Sequence, residues 1–128
     1  MIASLTLFAA LAVTPAPEVN PDRFLAAVRE VAQTEKTPLG PFDLTPIVWE
    51  HQAPLAWPYA YARREAYARA VAKKHLRWLQ EGLVRAGLEP SVLNLAVCWH
   101  LGLEGGKRRL RAGRSTWYAD SIRNIYNP

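Results

Sequence analysis

Glu35 stands where a carboxyl group has little reason to be charged. Phe24, Leu25, Val28, Val31 and Ala32 recur at three- and four-residue steps, and the next position on that apolar stripe is Glu35. A carboxyl on the apolar face of a helix loses solvation when it ionises, so its pKa rises and it can hold a proton near neutral pH. Such a group is a general acid, able to protonate a departing oxygen as a carbon–oxygen bond breaks. The other reading makes Glu35 a solvated residue just past a fraying helix end, beside Lys36 and Thr37.

Asp43 and His100 are the next groups with chemistry to offer. Asp43 can steady a developing positive charge, activate water or bind a hydroxyl; equally, it can be a turn residue ahead of Thr45-Pro46. An unperturbed imidazole titrates close to neutral pH, so His100 can carry a proton or donate a hydrogen bond. A protonated histidine at a helix C-terminus is also favourable with no catalytic duty. His75 falls within an apolar stripe and reads as a core residue, and Cys98, the one cysteine, reads as packed between Val97 and Trp99. The histidines at 51, 75 and 100 lack the His-Glu-x-x-His spacing and cysteine neighbours of a zinc hydrolase. There is no glycine-rich phosphate loop after a strand, so no metal or other cofactor is expected. Of the aromatic residues near these segments, Trp57 and Tyr59 lie in a loop and are expected to be exposed.

Helices must position these groups. Asn20-Pro21-Asp22 is a cap, a proline where its missing amide is harmless, and an acid at the positive helix end. Thr37-Pro38-Leu39-Gly40-Pro41 breaks that first helix, and residues 37–44 have room for a short extended piece. Thr45-Pro46 starts a short helix that ends before Pro54, and Pro54 to Pro58 is a loop. A long amphipathic helix is expected from Tyr59 to Ala86, with Ala68, Val71, Ala72, His75, Trp78, Leu79, Leu83 and Ala86 on its stripe and Gly87 as its stop. From Pro90 to Leu101 hardly any polar face remains, which predicts a buried central helix. Gly102, Gly105, Gly106 and Gly113 then bracket a basic stretch, Lys107 to Arg111. Read as a loop, residues 107 to 114 either grip carboxylates or acidic lipid or are simply solvated. Ser115-Thr116 caps a last helix carrying Trp117, Tyr118, Ile122, Ile125 and Tyr126.

The chain has 128 residues, half of them hydrophobic, which suits one domain with a real core. Met1 to Val13 is an uncharged apolar run followed by Thr14-Pro15-Ala16-Pro17, the pattern of a secretory signal peptide over residues 1–16 that leaves a domain at 17–128. The run is too short for a bilayer span, which needs roughly 18 to 20 apolar residues, so no stable membrane span is expected. The 16 Lys and Arg and the 11 Asp and Glu all lie after Ala16, so cleavage there keeps the formal charge at +5. A basic exported domain suits cell wall or anionic lipid rather than nucleic acid, for which no binding motif is present.

Four segments occur in a telling order: the first helix with Glu35, then Gly40-Pro41-Phe42-Asp43-Leu44-Thr45-Pro46, then Ala96-Val97-Cys98-Trp99-His100-Leu101-Gly102, then Tyr118-Ala119-Asp120 with Ile122 and Tyr126. They resemble the lytic transglycosylase and goose-type lysozyme superfamily. Its pattern is a catalytic Glu, a Gly-x-x-Gln-(Ile/Leu)-x-Pro segment, a (Tyr/Trp)-Asn-x-Gly helix end and a late Tyr. The resemblance spans nearly everything after Asn20. It implies an all-α, lysozyme-like fold, with α-dominated α+β as a variant, and cleavage of peptidoglycan glycan strands by a monomer in the periplasm or outside the cell. It assigns Glu35 as the catalytic acid and Asp43, Trp99, His100 and Tyr118 as substrate-binding or supporting residues.

Two positions depart from the pattern. Asp43 stands at the family's Gln and His100 at its Asn, so a carboxylate and a titratable ring replace two amides. Only four residues separate Glu35 from Gly40, where many relatives carry a longer insert, which implies a more open groove. In the family's transglycosylases the same Glu later acts as base and a 1,6-anhydro sugar forms without water. Asp43 raises hydrolysis as a variant outcome, and the two substitutions together raise a degenerate domain that binds glycan or a cell-wall partner without cutting.

Overall fold

The first helix, α1 (Pro21–Ala32), follows from its cap: the Asn20 side chain accepts a hydrogen bond from the Arg23 amide at 3.0 Å, and Pro21 opens the helix. Its expected stripe is buried, with Phe24, Leu25, Val28, Val31 and Ala32 all inside. The computed structural model describes residues 18–35 and 39–128, and among these every regular element is helical. The apolar leader and its cleavage region lie outside the described residues. Residues 39–44 form a turn, not an extended piece.

The short helix α2 (Pro46–Gln52) is capped by Thr45, whose hydroxyl accepts from the Val48 amide. The long helix starts later than its composition suggests. Residues Tyr59–Arg63 make a 3-10 turn, Arg64 is extended, and α3 runs Glu65–Arg85. Tertiary contacts override helix propensity here: the Tyr59 hydroxyl donates to the Leu44 carbonyl at 2.7 Å, and Gly40 sits so close to the turn that an added Cβ would lie 2.4 Å from the Ala62 oxygen. The α3 stripe is buried at Ala68, Val71, Ala72, His75, Leu76, Leu79 and Leu83, while Trp78 and Ala86 are only partly covered.

The largest difference from expectation is in α4. It was expected to stop at Leu101, before a glycine-bracketed loop. The first arm, from its Ser91 cap, does stop at Gly102, where φ is 80° and ψ 166°, a backbone region essentially restricted to glycine. What differs is that a second helical arm follows at once, so that α4 spans Val92–Arg111 with a kink at Gly102. The second arm folds against the first: a Cβ on Gly106 would lie 2.5 Å from the Cys98 sulfur and 2.9 Å from its Cα. Glycine at 106 lets the two arms touch.

The last helix, α5 (Trp117–Tyr126), is capped by Thr116 and buries Tyr118, Ala119, Ile122 and Tyr126. Its end is tied back to the start of α1, since the Asn20 amide donates to the Tyr126 hydroxyl at 3.0 Å. The first arm of α4 is the centre of the core from Leu95 to Trp99. Trp99 touches three neighbours: the Phe24 ring lies 5.7 Å away, the His75 ring 5.0 Å away, and its indole N–H donates to the Phe42 carbonyl at 3.0 Å. The buried central helix is therefore present, although its ends are not buried; His100 and Leu101 reach solvent. Among the described residues no helix is long and apolar enough to cross a membrane.

Candidate functional site

Glu35 is not inside α1. The chain leaves the helix through Gln33 and continues in tight bonds, Thr34 to the Val31 carbonyl at 3.0 Å and Glu35 to the Ala32 carbonyl at 3.2 Å. These i to i−3 bonds keep Glu35 near the direction of the α1 stripe, which is why the periodicity still locates it. The side chain is partly buried. Burial raises the pKa of the Glu35 carboxyl, and the neighbouring Asp43 carboxylate raises it further.

Asp43 is the one described non-glycine residue with positive φ, at 54°. Aspartate tolerates this left-handed conformation because its short polar side chain can bond locally, and here Asp43 Oδ1 accepts from the Leu39 amide at 3.3 Å. Its other oxygen, Oδ2, accepts from the Tyr118 hydroxyl at 3.2 Å. Asp43 is thus both a turn residue and a member of a carboxyl pair. Phe42 and Leu44 on either side of it are fully buried, which anchors the turn and leaves Asp43 facing Glu35 and Tyr118.

Tyr118 rises from the first turn of α5 and is 2 % exposed. Burial pushes its phenol far above the ordinary range, and the Asp43 and Glu35 charges push the same way, so it stays a neutral donor. His100 lies against it with ring centroids 4.6 Å apart and planes at 27°. The His100 Nδ1 also meets the Thr116 hydroxyl at 3.2 Å. Burial lowers the His100 pKa, the Asp43 carboxylate opposes that, and the Arg109 cation adds to it. Trp99 does not face the cluster. It is buried, and by holding the Phe42 carbonyl it fixes the Asp43 turn from behind.

Four of the five expected residues therefore meet: Glu35, Asp43, Tyr118 and His100 form one contiguous group. Trp99 supports them from the core. The expected exposure of Trp57 and Tyr59 is not observed. Trp57 stands edge-on to Tyr67 at 4.8 Å and Tyr59 is tied to Leu44, so both are partly buried. The exposed aromatic ring is Trp117, 62 % exposed, edge-on to His100 at 6.2 Å and to Tyr118 at 5.8 Å. Its position was legible only as a flank of the α5 stripe. The role of Thr116, which accepts from the Ala119 amide at 3.1 Å as a cap and reaches His100 as well, depends on a contact across 16 residues that no local pattern encodes.

No group of three or more His, Cys, Asp or Glu side chains converges for a metal among the described residues. What the cluster offers is proton chemistry: one carboxyl biased toward its neutral form, a carboxylate beside it, a neutral phenol holding that carboxylate, and an imidazole at the rim. Compared with protein-family models, curated proteins and solved structures, the chain gives no match.

Proposed function

We propose that the chain cleaves the glycan strands of peptidoglycan between N-acetylmuramic acid and N-acetylglucosamine, with Glu35 as the single acid and base. The observation that carries this reading is the convergence of a partly buried Glu35, its pKa raised by burial and by Asp43, with the linked side chains of Asp43, Tyr118 and His100. Glu35 protonates the leaving oxygen, the glycosidic bond breaks, and positive charge develops on the sugar. The Glu35 carboxylate then removes a proton from the C6 hydroxyl, which closes onto the anomeric carbon as a 1,6-anhydro ring. The superfamily resemblance supplies the substrate class, and the gathering of Glu35, Asp43, His100 and Tyr118 supports it.

Two-carboxyl glycosidases place their pair roughly 5 to 9.5 Å apart, with the sugar or a water between them, so Asp43 keeps hydrolysis as the second outcome. Asp43 also acts on Glu35, adding to the rise in its pKa, and Tyr118 holds Asp43 in place.

The test is muropeptide release from purified cell wall by the native chain and by Glu35→Gln. Soluble products ending in 1,6-anhydro sugars are expected from the native chain, with a loss of about 100-fold to 10,000-fold in the variant. Equal release by both, or none by either, would overturn the reading. Products with reducing ends would replace it by hydrolysis.

A further inference from the structure

The second arm of α4 carries a face that the cleavage chemistry does not use. Gly105, Arg108, Arg109 and Ala112 follow at helical steps of three and four and so share one side. With Leu101 and Arg114 they line a cavity of about 440 Å³. The two small residues leave the space, and three guanidinium groups border it with no carboxylate among the lining residues. The neighbouring cations are occupied elsewhere: Lys107 pairs with Glu104 at 2.9 Å, and Arg111 reaches the Ala86 carbonyl at 3.5 Å. Among the described residues Arg108, Arg109 and Arg114 form no ion pair within the chain. Three like charges around one cavity repel each other, and an anion entering it removes that repulsion.

A chain of contacts links the arginine face to the Glu35 cluster. Arg109 Nε donates to the Ser115 carbonyl at 3.1 Å, the adjoining Thr116 hydroxyl meets His100, and His100 stacks on Tyr118, which holds Asp43. Exposed Trp117 stands over the same junction, beside His100. An aromatic face next to a polar rim is a platform on which a sugar ring can stack. Guanidinium forks match carboxylates two bonds at a time.

We infer that Arg108, Arg109 and Arg114 form a subsite for the carboxylates that hang from the glycan strand as peptide stems, with Trp117 carrying the sugar between this subsite and Glu35. This rests on the proposed cleavage of peptidoglycan and sharpens it: the chain distinguishes a strand bearing carboxylates from a neutral polymer of N-acetylglucosamine. The kink at Gly102 is what makes the subsite. A straight α4 would carry the arginines along the axis of its buried arm and away from its contact with Cys98.

The experiment measures binding by the full chain carrying Glu35→Gln, so that ligand is not consumed. Two ligands are used: soluble uncross-linked peptidoglycan strands with peptide stems, and chitohexaose, which has N-acetylglucosamine units and no carboxylate. Adding Arg108→Gln, Arg109→Gln and Arg114→Gln is expected to weaken strand binding about tenfold or more, while chitohexaose binding stays the same. Arg108→Gln with Arg114→Gln alone preserves the Arg109 bond to Ser115 and is expected to show part of the loss, with helical circular dichroism unchanged. If the arginine variants bind strands as tightly as their parent does, the subsite is overturned while the cleavage reading stands. Equal weakening toward both ligands also overturns it. If the Glu35→Gln parent binds neither ligand, the cleavage reading falls and takes the subsite with it.

Discussion

Trp99 separates two clusters of titratable groups that obey the same rule and end in different states. On one side, His75 lies 5.0 Å from the Trp99 ring and 5.9 Å from the Trp78 ring, stacked on the latter and 5 % exposed. Burial pulls its pKa down to about 4, the His51 charge adds to that, and the buried Gln52 amide reaches its Nδ1 at 3.5 Å. On the other side, Glu35 is raised by burial and by Asp43. Low polarity favours the neutral form in both cases, so an imidazole loses its proton and a carboxyl keeps one. The His75 ring is packed between the Trp78 and Trp99 rings and has no carboxylate partner. The Glu35 cluster borders solvent and has a second carboxylate to exchange with, which is the difference between packing and chemistry.

The largest expected effect that breaks this comparison concerns His75. Its folded pKa lies below its unfolded value near 6.5, so as pH falls the unfolded chain takes up the proton first. Stability is fully present above pH 6.5 and is lost as pH falls toward about 4, by roughly 3 kcal/mol in all. Urea unfolding at a series of pH values reads this slope, and His75→Gln is expected to flatten it. A slope that survives the substitution would place the acid sensitivity elsewhere.

Next in size is Tyr118→Phe, which removes the phenol that donates to Asp43. The expected cost is about 1 kcal/mol in unfolding free energy, together with weaker release of muropeptides. Full activity in this variant would mean that Asp43 needs no holding. Asp43→Asn keeps a side chain that tolerates positive φ while removing the charge beside Glu35. In the proposed cleavage Glu35 acts as a protonated acid, and its pKa falls when the neighbouring charge is lost, so the alkaline limb of the pH–activity profile is expected to move to lower pH. An unmoved limb would uncouple the two carboxyls.

The smallest effect is on stability and has the opposite sign to the usual loss. Glu35 has its pKa raised on folding, so the stability it contributes is present below about pH 4.5 and is lost as pH rises through its folded value. Glu35→Gln is therefore expected to melt slightly higher than the native chain at pH 7, with the difference closing below pH 4. A lower melting temperature at neutral pH would show that the carboxylate is stabilising and remove the basis for treating it as an acid.

Local signals located much of this. The expected caps at Asn20, Thr45 and Thr116 each accept the amide three residues on, because capping needs only a side-chain oxygen and a neighbouring backbone donor; Ser91 does the same just past the expected start at Pro90. The α1 stripe pointed to Glu35 because the tight bonds after Ala32 prolong its direction. Gly102 interrupts the helix where its position suggested, but the glycines beyond it were misleading, since a second helical arm resumes there and Gly106 packs it against Cys98. Similarly, Trp57 and Tyr59 lie among loop residues but find partners in Tyr67 and Leu44, while Trp117 on a regular helix does not become buried.

By itself, then, the sequence determined the all-helical class, the starts of the first, second and last helices and most of each buried face, which follow from backbone geometry and hydrophobic periodicity over a few residues. Periodicity singled out Glu35, while Asp43, His100 and Tyr118 were assigned as site residues through the resemblance of motif order to a known superfamily. Tertiary structure alone decided that the Asp43 carboxylate lies near Glu35, that Tyr118 holds it across 75 positions, and that α4 bends so that Arg108 and Arg109 line one cavity with Arg114. Charge and hydrogen bonding act through space over a few ångströms, and residues that close in space are far apart along the chain.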